Sequence, residues 1–105
     1  MKGVMPMYSE TFRSEALALL KANVGNLRPP LEIEQLMLNC IDTAGAALLD
    51  AKISLDENCP DDLHLLAMYA AWLYRNRSSG AGKPEMLRSA MRNRQVSEAT
   101  GEADI

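Results

Sequence analysis

The sequence predicts an all-α fold, a small bundle of about four helices. Apolar residues recur every three or four positions, most clearly between Ile33 and Leu48, as they do along one face of a helix. Aliphatic residues and Met outnumber aromatic residues, and no run alternates as a half-buried strand would. A chain of 105 residues is long enough for one modest core.

The first helix is predicted at Phe12–Asn23. Ser9 or Thr11 can cap its start, because a side-chain oxygen at that position accepts a hydrogen bond from a free backbone N–H. Gly25 follows the helix and can adopt the left-handed conformation that ends many helices. These two signals define the helix at both ends.

The second helix is predicted at Leu31–Ala51, directly after Pro29 and Pro30, because proline suits the start of a helix. It carries the strongest apolar period of the chain. Gly45 lies among small residues of this helix and costs about 1 kcal/mol of helix propensity relative to Ala. Close approach of another helix would offset that cost, so we expect a tight crossing at Gly45.

The third helix is predicted at Asp62–Arg77, after a polar loop at Ile53–Asp61. Acidic residues at its start and arginines at its end suit the helix dipole. Its aromatic residues are spaced at i, i+3 and i+4, which places them on one face. Together with the stripe of helix two, they predict a buried core of Leu36, Ile41, Leu48, Leu66, Tyr69, Trp72 and Leu73.

The last part of the chain is predicted to be a C-terminal helical arm after a Ser/Gly hinge. The hinge is Ser-Ser-Gly-Ala-Gly at residues 78–82. Pro84 opens helix four, which runs to about Val96 and is followed by a disordered tail. Within a single domain, residues 1–79 form the bundle body and residues 80–105 the hinge and assembly arm. An isolated helix of this length is marginal in water, so we expect weak attachment until a partner binds.

Positive charge is concentrated in one stretch of the chain. Residues 1–74 hold five Lys or Arg against ten Asp or Glu, a balance of −5. Residues 75–94 hold six basic residues against Glu85 alone, a balance of +5, and the tail from Gln95 returns to −3. Such asymmetry favours an anionic partner surface or head-to-tail contact between copies of the chain.

No residue set in the sequence is typical of an enzyme. His64 is the single histidine and has no second ligand at a fixed offset, so a solvated role is expected. Nucleophile motifs and a glycine-rich phosphate loop are missing from the sequence. Cys40 and Cys59 match no zinc spacing and are expected to be reduced thiols. We therefore expect no catalysis, no cofactor and no metal ion, and no membrane contact, since no segment approaches the roughly 20 apolar residues that span a bilayer.

Three interpretations of the arginine cluster remain open. Lys83, Arg88 and Arg92 have the charge to grip nucleic-acid phosphates, which makes a small helical DNA-binding regulator one alternative. Helix four also carries an apolar stripe that includes Leu87 and Met91, and such a stripe fits a protein partner better. The third interpretation is a merely solvated helix face, since basic patches are common, and the residues alone leave all three open.

A resemblance to a known family rests on the final third of the chain. The passage LLAMYAAWLYRNR (residues 65–77), a Gly-containing hinge and KPEMLRSAMRNRQVSE (residues 83–98) resemble the head–tail connector (adaptor) family of long-tailed bacteriophages and prophages. The weaker match LLKANVG (residues 19–25) extends the correspondence over most of the chain. The sequence departs from the family pattern at Glu85, where an arginine is common, and at Ser89, where an aromatic residue often stands.

The resemblance implies a structural protein of the virion neck, present in the host cytoplasm during assembly. Such connectors form a ring, twelve-fold on the dodecameric portal protein, and extend the DNA channel without sequence-specific binding to the DNA. They also provide a platform for the stopper or tail-completion protein. Residues expected to contact the portal or neighbouring copies, with Arg92 added from the charge pattern, are Trp72, Tyr74, Arg75, Arg77, Pro84, Met86, Leu87, Arg88, Met91, Arg92, Asn93 and Arg94.

Overall fold

Four α-helices make up the chain as described by a computed structural model, which covers residues 8–77 and 82–100. The helices are α1 (Glu10–Val24), α2 (Leu31–Asp50), α3 (Pro60–Arg75) and α4 (Glu85–Thr100). The covered residues contain no strand, so the all-α prediction is confirmed. The predicted hinge lies outside the described residues except for Gly82.

Local signals mark the ends of α1, which begins two residues before the predicted Phe12 and ends one residue after the predicted Asn23. The Ser9 hydroxyl accepts a hydrogen bond of 3.1 Å from the Phe12 backbone N–H, which satisfies one of the free donors of the first turn. Gly25 has a φ of 75°, in the left-handed region that glycine tolerates best. The predicted N-cap and the glycine stop are both confirmed.

The ends of α3 and α4 differ from the prediction by one to four residues. α3 begins at Pro60 instead of Asp62, because proline is well tolerated at the first helical position. α4 continues past Val96 to Thr100, where a disordered tail was expected. Glu98 on this extension forms an ion pair of 2.8 Å with Arg94 one turn earlier, an arrangement that supports a helix.

The core is organised around α3, which packs against α1, α2 and α4. Four residues of the predicted core are buried, namely Ile41, Leu48, Leu66 and Tyr69. Gly45 is also buried. Phe12, Leu20, Met37, Ile53 and Leu65 are further large side chains buried in the first three helices and their loops.

Three residues of the predicted core are only half-buried, and for them the prediction was wrong. Leu36, Trp72 and Leu73 pack against the core from its edge. The helical period correctly places them near the apolar face, but that face is wider than the area that three neighbouring helices cover. Residues at its margins therefore keep contact with solvent.

Leu87 differs most from its predicted role. The sequence places it on the partner-facing stripe of a weakly attached arm, whereas the structure buries it fully in the core cluster. α4 thus packs on α3 through a core residue. Direct contact between Leu87 and a partner would require α4 to leave α3. The division into body and arm stays a prediction, since only the packing of α4 is described.

Two ion pairs join α1 to α2. Arg13 meets Asp42 at 3.0 Å, and Lys21 meets Glu34 at 2.6 Å. All four side chains retain contact with solvent, so each pair contributes at most about 1 kcal/mol. In both pairs, a basic side chain of the bundle body is neutralised by a carboxylate of the same body. The remaining carboxylates of the body are therefore in excess over its remaining basic side chains.

The two thiols should react at different rates. Burial raises the pKa of the Cys40 thiol, although the nearby Arg77 charge acts in the opposite direction. Cys59 is only half-buried at the start of α3. Because the thiolate is the reactive form, a disulfide reagent at mildly alkaline pH should label Cys59 first and Cys40 only after unfolding. Equal labelling rates in the folded protein, with Cys40→Ala as the single-thiol control, would contradict the packing of α2.

Candidate assembly surface at the α3–α4 end

A groove of about 390 Å³ opens where the C-terminal half of α3 meets the end of α1 and the start of α4. Asn23 near the end of α1 and Met68 of α3 line one side of the groove. The same two residues line a second depression that continues between α1 and α3. The groove brings together five of the twelve predicted contact residues, which are Trp72, Arg75, Pro84, Met86 and Leu87. We call this region the α3–α4 groove.

Trp72 fixes the chain where it enters α4. Its indole N–H donates a hydrogen bond of 3.1 Å to the carbonyl oxygen of Gly82. The next residue, Lys83, holds its ammonium 5.2 Å from the centre of the Trp72 ring and 5.6 Å from that of Tyr69. Both distances are within the range of cation–π attraction. The wall of the groove is therefore held by contacts between α3 and the segment that leads into α4.

Arg75 forms the basic rim of the groove and joins α3 to α1. Its guanidinium donates to the backbone carbonyl oxygen of Asn23 at 2.5 Å and to the side-chain oxygen of the same residue at 3.0 Å. A cation at this place also suits the negative end of the α1 dipole. Arg75 is nevertheless exposed, so its remaining N–H groups face solvent and can meet a partner.

The apolar part of the groove divides into a buried floor and an exposed rim. Leu87 is fully buried and forms the floor, whereas Met86 is 74% exposed at the rim. The flexible thioether side chain of Met adapts to irregular partner surfaces. An apolar groove with an exposed Met and a basic rim is suited to binding an apolar segment that carries negative charge.

Arg77 and Tyr74 lie outside the groove. The Arg77 guanidinium stacks 4.4 Å from the centre of the Tyr74 ring and donates to the Tyr74 carbonyl oxygen. Arg77 also lines a shallow depression on the α2 side of α3, together with Leu36 and Leu73. The structure therefore separates these two predicted contact residues from Trp72 and Arg75.

The exposed face of α4 carries Arg88 and Arg92. Both meet the carboxylate of Glu85, at 3.2 Å and 3.8 Å, and both are more than half exposed. Exposed pairs of this kind are weak, so a partner can replace Glu85 at little cost. Met91 faces inward from the same helix, where it is half-buried against the core.

Arg94 serves the fold at the other end of α4. Its guanidinium meets both carboxylate oxygens of Asp62, at 2.9 Å and 3.2 Å, and donates to the Ser54 carbonyl oxygen at 2.7 Å. The Asp62 side chain is only 4% exposed and also accepts the Asp56 backbone N–H at 2.8 Å. The hydrogen bond to Asp62 is the main cause of the raised pKa of Arg94. Asn93 is exposed beside this pair.

The role of Asp62 was missed at the sequence level. Asp61 and Asp62 look alike in the sequence as acidic residues at the start of α3, yet only Asp62 is buried. An antiparallel path of α4 along α3 brings Arg94 to that position. Arg94 lies next to the otherwise apolar inner face of α4. An arginine at such a position is the signal that could have found the pair.

The described residues contain no group of three or more His, Cys, Asp or Glu placed to hold a metal ion. His64 is exposed on α3. Over the same part of the chain, no helix has the length and apolar character needed to cross a membrane.

No family model, curated protein or solved structure matches the chain.

Removal of the Trp72 side chain should be less damaging than its aromatic character suggests. Trp72→Ala should lower the free energy of unfolding by less than about 3 kcal/mol, because fully buried aromatic residues lose about 3–5 kcal/mol on this change and Trp72 is only half-buried. Chemical denaturation followed by circular dichroism measures the loss. Trp72→Phe is the control that removes mainly the bond to Gly82. A loss above that limit would place Trp72 in the core.

Proposed function

We propose that the protein is a structural connector of the virion neck in a long-tailed bacteriophage or prophage. In this proposal it forms a ring beneath the portal, extends the DNA channel and provides a platform for a stopper or tail-completion protein. The observation that carries the proposal is the α3–α4 groove, which five of the predicted contact residues line together, with Leu87 as its buried floor and Met86 exposed at its rim.

The apolar groove supports a role in assembly because part of its apolar surface is left exposed. Met86 is an exposed large apolar residue that lines the groove together with the half-buried Trp72. Exposed apolar surface in a concave site is typical of protein contact sites. A partner that covers Met86 and Trp72 gains the free energy of removing that surface from water.

The charges around the groove support a partner that is acidic at the contact. Arg75 at the rim and Arg88 on the outer face of α4 are exposed to solvent. Rim charges of this kind contribute mainly to the rate of association and to the alignment of the partners. A partner can contact these arginines while α4 stays packed on α3. The proposed assembly surface therefore forms with α4 in its packed position.

The alternative proposal, a DNA-binding regulator, uses the same arginines. Arg88 and Arg92 share the carboxylate of Glu85 on the outer face of α4, and contact between these arginines and the phosphates of a duplex would leave the exposed Met86 uncovered. A recognition helix also needs side chains that reach base edges along an unobstructed face. The connector therefore remains the preferred proposal, with non-specific contact to channel DNA.

The test of the proposal is co-sedimentation with portal rings from the same genome. The protein should move into the portal fraction of a density gradient and saturate at a fixed ratio to portal subunits. A gel-shift assay at physiological salt runs in parallel. If the portal rings sedimented without the protein, and the protein bound a duplex sequence-specifically at nanomolar concentration, the DNA-binding regulator would replace the connector as the preferred proposal.

A further inference from the structure

The two ends of the bundle are distinguished by the antiparallel packing of α4 on α3. At one end, Trp72 near the end of α3 bonds to Gly82 just before α4. At the other end, Arg94 in the second half of α4 bonds to Asp62 in the first turn of α3. The α3–α4 groove therefore lies at one end, and the start of α3 lies at the opposite end, which we call the far end.

The far end joins the second half of α4 to the end of α2. The Gln95 side-chain amide donates to the Ala51 carbonyl oxygen at 2.8 Å. Two large apolar side chains are exposed on the two elements that meet here, Leu49 at 50% and Val96 at 54%. The far end thus exposes apolar surface of its own.

The far end is acidic, whereas the groove end is basic. The exposed residues around the far end include the basic Lys52 and five acidic residues, of which Glu98 is paired with Arg94. The five acidic residues are Asp50, Asp56, Glu57, Asp61 and Glu98. Arg75 and Arg77 are exposed at the end of α3, and Arg88 lies on the neighbouring face of α4. The exposed apolar residues at the two ends are therefore surrounded by opposite charges.

We infer that the α3–α4 groove of one copy receives the far end of the next copy, so that copies of this chain associate head to tail. The basic residues of the groove end then face the acidic residues of the far end around a shared apolar contact. Such charge complementarity steers and aligns association. Contact between two different surfaces of identical chains is heterologous, and it produces closed rings when the rotation between copies closes. The inference rests on the proposed function, since it assigns the ring contact to the groove.

Pairing of like ends is disfavoured by the same charges. A two-fold contact through the groove would bring Arg75 and Arg88 of both copies together, and a two-fold contact through the far end would bring Asp50 and Asp61 together. Like charges opposed in an interface are costly and suppress such pairing. The second copy therefore occupies the groove with its far end.

The test uses two variants that each block one end. Met86→Glu adds negative charge to the groove, against the acidic far end of the neighbour. Leu49→Lys adds positive charge to the far end, against the basic groove, and a cation there also suits the end of α2. Both side chains are exposed, so both variants should fold, and circular dichroism checks this. Leu31→Glu, at a residue 68% exposed and not among the groove residues, is the matched control.

Sedimentation velocity up to millimolar protein should show concentration-dependent association for the natural chain and for Leu31→Glu. Each end variant alone should associate at least roughly tenfold more weakly. An equal mixture of the two should regain association, because Leu49→Lys keeps an intact groove and Met86→Glu keeps an intact far end. Val96→Lys should repeat the result of Leu49→Lys. A natural chain that stays monomeric at every concentration, or a mixture of folded variants that does not complement, would overturn the inference.

Binding to portal rings separates this inference from the proposed function. If the natural chain binds the portal and the variants do not complement each other, the head-to-tail contact is wrong and the connector function stands. If complementation occurs and no portal binding is found, the contact is right and the proposed function is wrong.

Discussion

Replacing Met86 with Glu should abolish incorporation of the protein beneath the portal while leaving the bundle folded. Met86 is largely exposed in the single chain, and substitutions at such positions usually change stability by less than about 0.5 kcal/mol. In the assembled state the new carboxylate would be buried against an apolar and acidic partner. A penalty of about 2–3 kcal/mol per contact lowers affinity on the order of a hundredfold.

Gradient sedimentation with portal rings measures this loss, and two variants serve as controls. Met86→Leu keeps an apolar side chain of similar volume and should be incorporated normally. Leu31→Glu places the same charge at another exposed apolar residue outside the groove and should also be incorporated. Normal incorporation of a folded Met86→Glu protein would show that the α3–α4 groove is not an assembly surface.

Replacing Arg94 with Ala should produce the largest loss of stability among single changes to a charged residue. It removes the partner of Asp62, whose side chain lies almost entirely away from solvent. Breaking a buried pair in this way costs about 3–5 kcal/mol, since an uncompensated charge stays inside. The remaining bond from the Asp56 N–H keeps the expected loss near the lower end of that range. Small domains have only about 5–15 kcal/mol in total, so the melting temperature should fall markedly.

Arg92→Ala is the matched control, because Arg92 lies on the same helix but pairs with Glu85 at the exposed surface. Its loss should be within about 1 kcal/mol. A double-mutant cycle with Asp62→Ala isolates the energy of the pair. If Arg94→Ala and Arg92→Ala proved equally stable in urea titrations, α4 would not be fastened to the start of α3 as described.

The sequence was sufficient to predict features that depend on neighbouring residues. Ser9 and Gly25 act within a few residues of α1, and Pro30 precedes α2 directly, so the helices could be placed from their own signals. The period of α2 likewise predicted the burial of Ile41 and Leu48. These features arise before any helix packs on another.

Features that depend on how helices pack could not be predicted in the same way. Leu87 looks like any apolar residue on a narrow stripe, and only the position of α4 on α3 makes it part of the core. Asp62 and Arg94 are 32 positions apart, and their contact requires the antiparallel direction of α4. Arg94 was grouped with the expected partner contacts, whereas in the structure its side chain bonds to Asp62 within the fold.

Electron microscopy of portal rings incubated with the protein tests the central proposal most directly. Side views should show a second ring of density beneath the portal, coaxial with the channel and with the same rotational symmetry. The ring should be present with the Leu31→Glu protein and missing with the Met86→Glu protein. Portal rings that look identical with and without an excess of the folded natural protein would contradict the connector proposal.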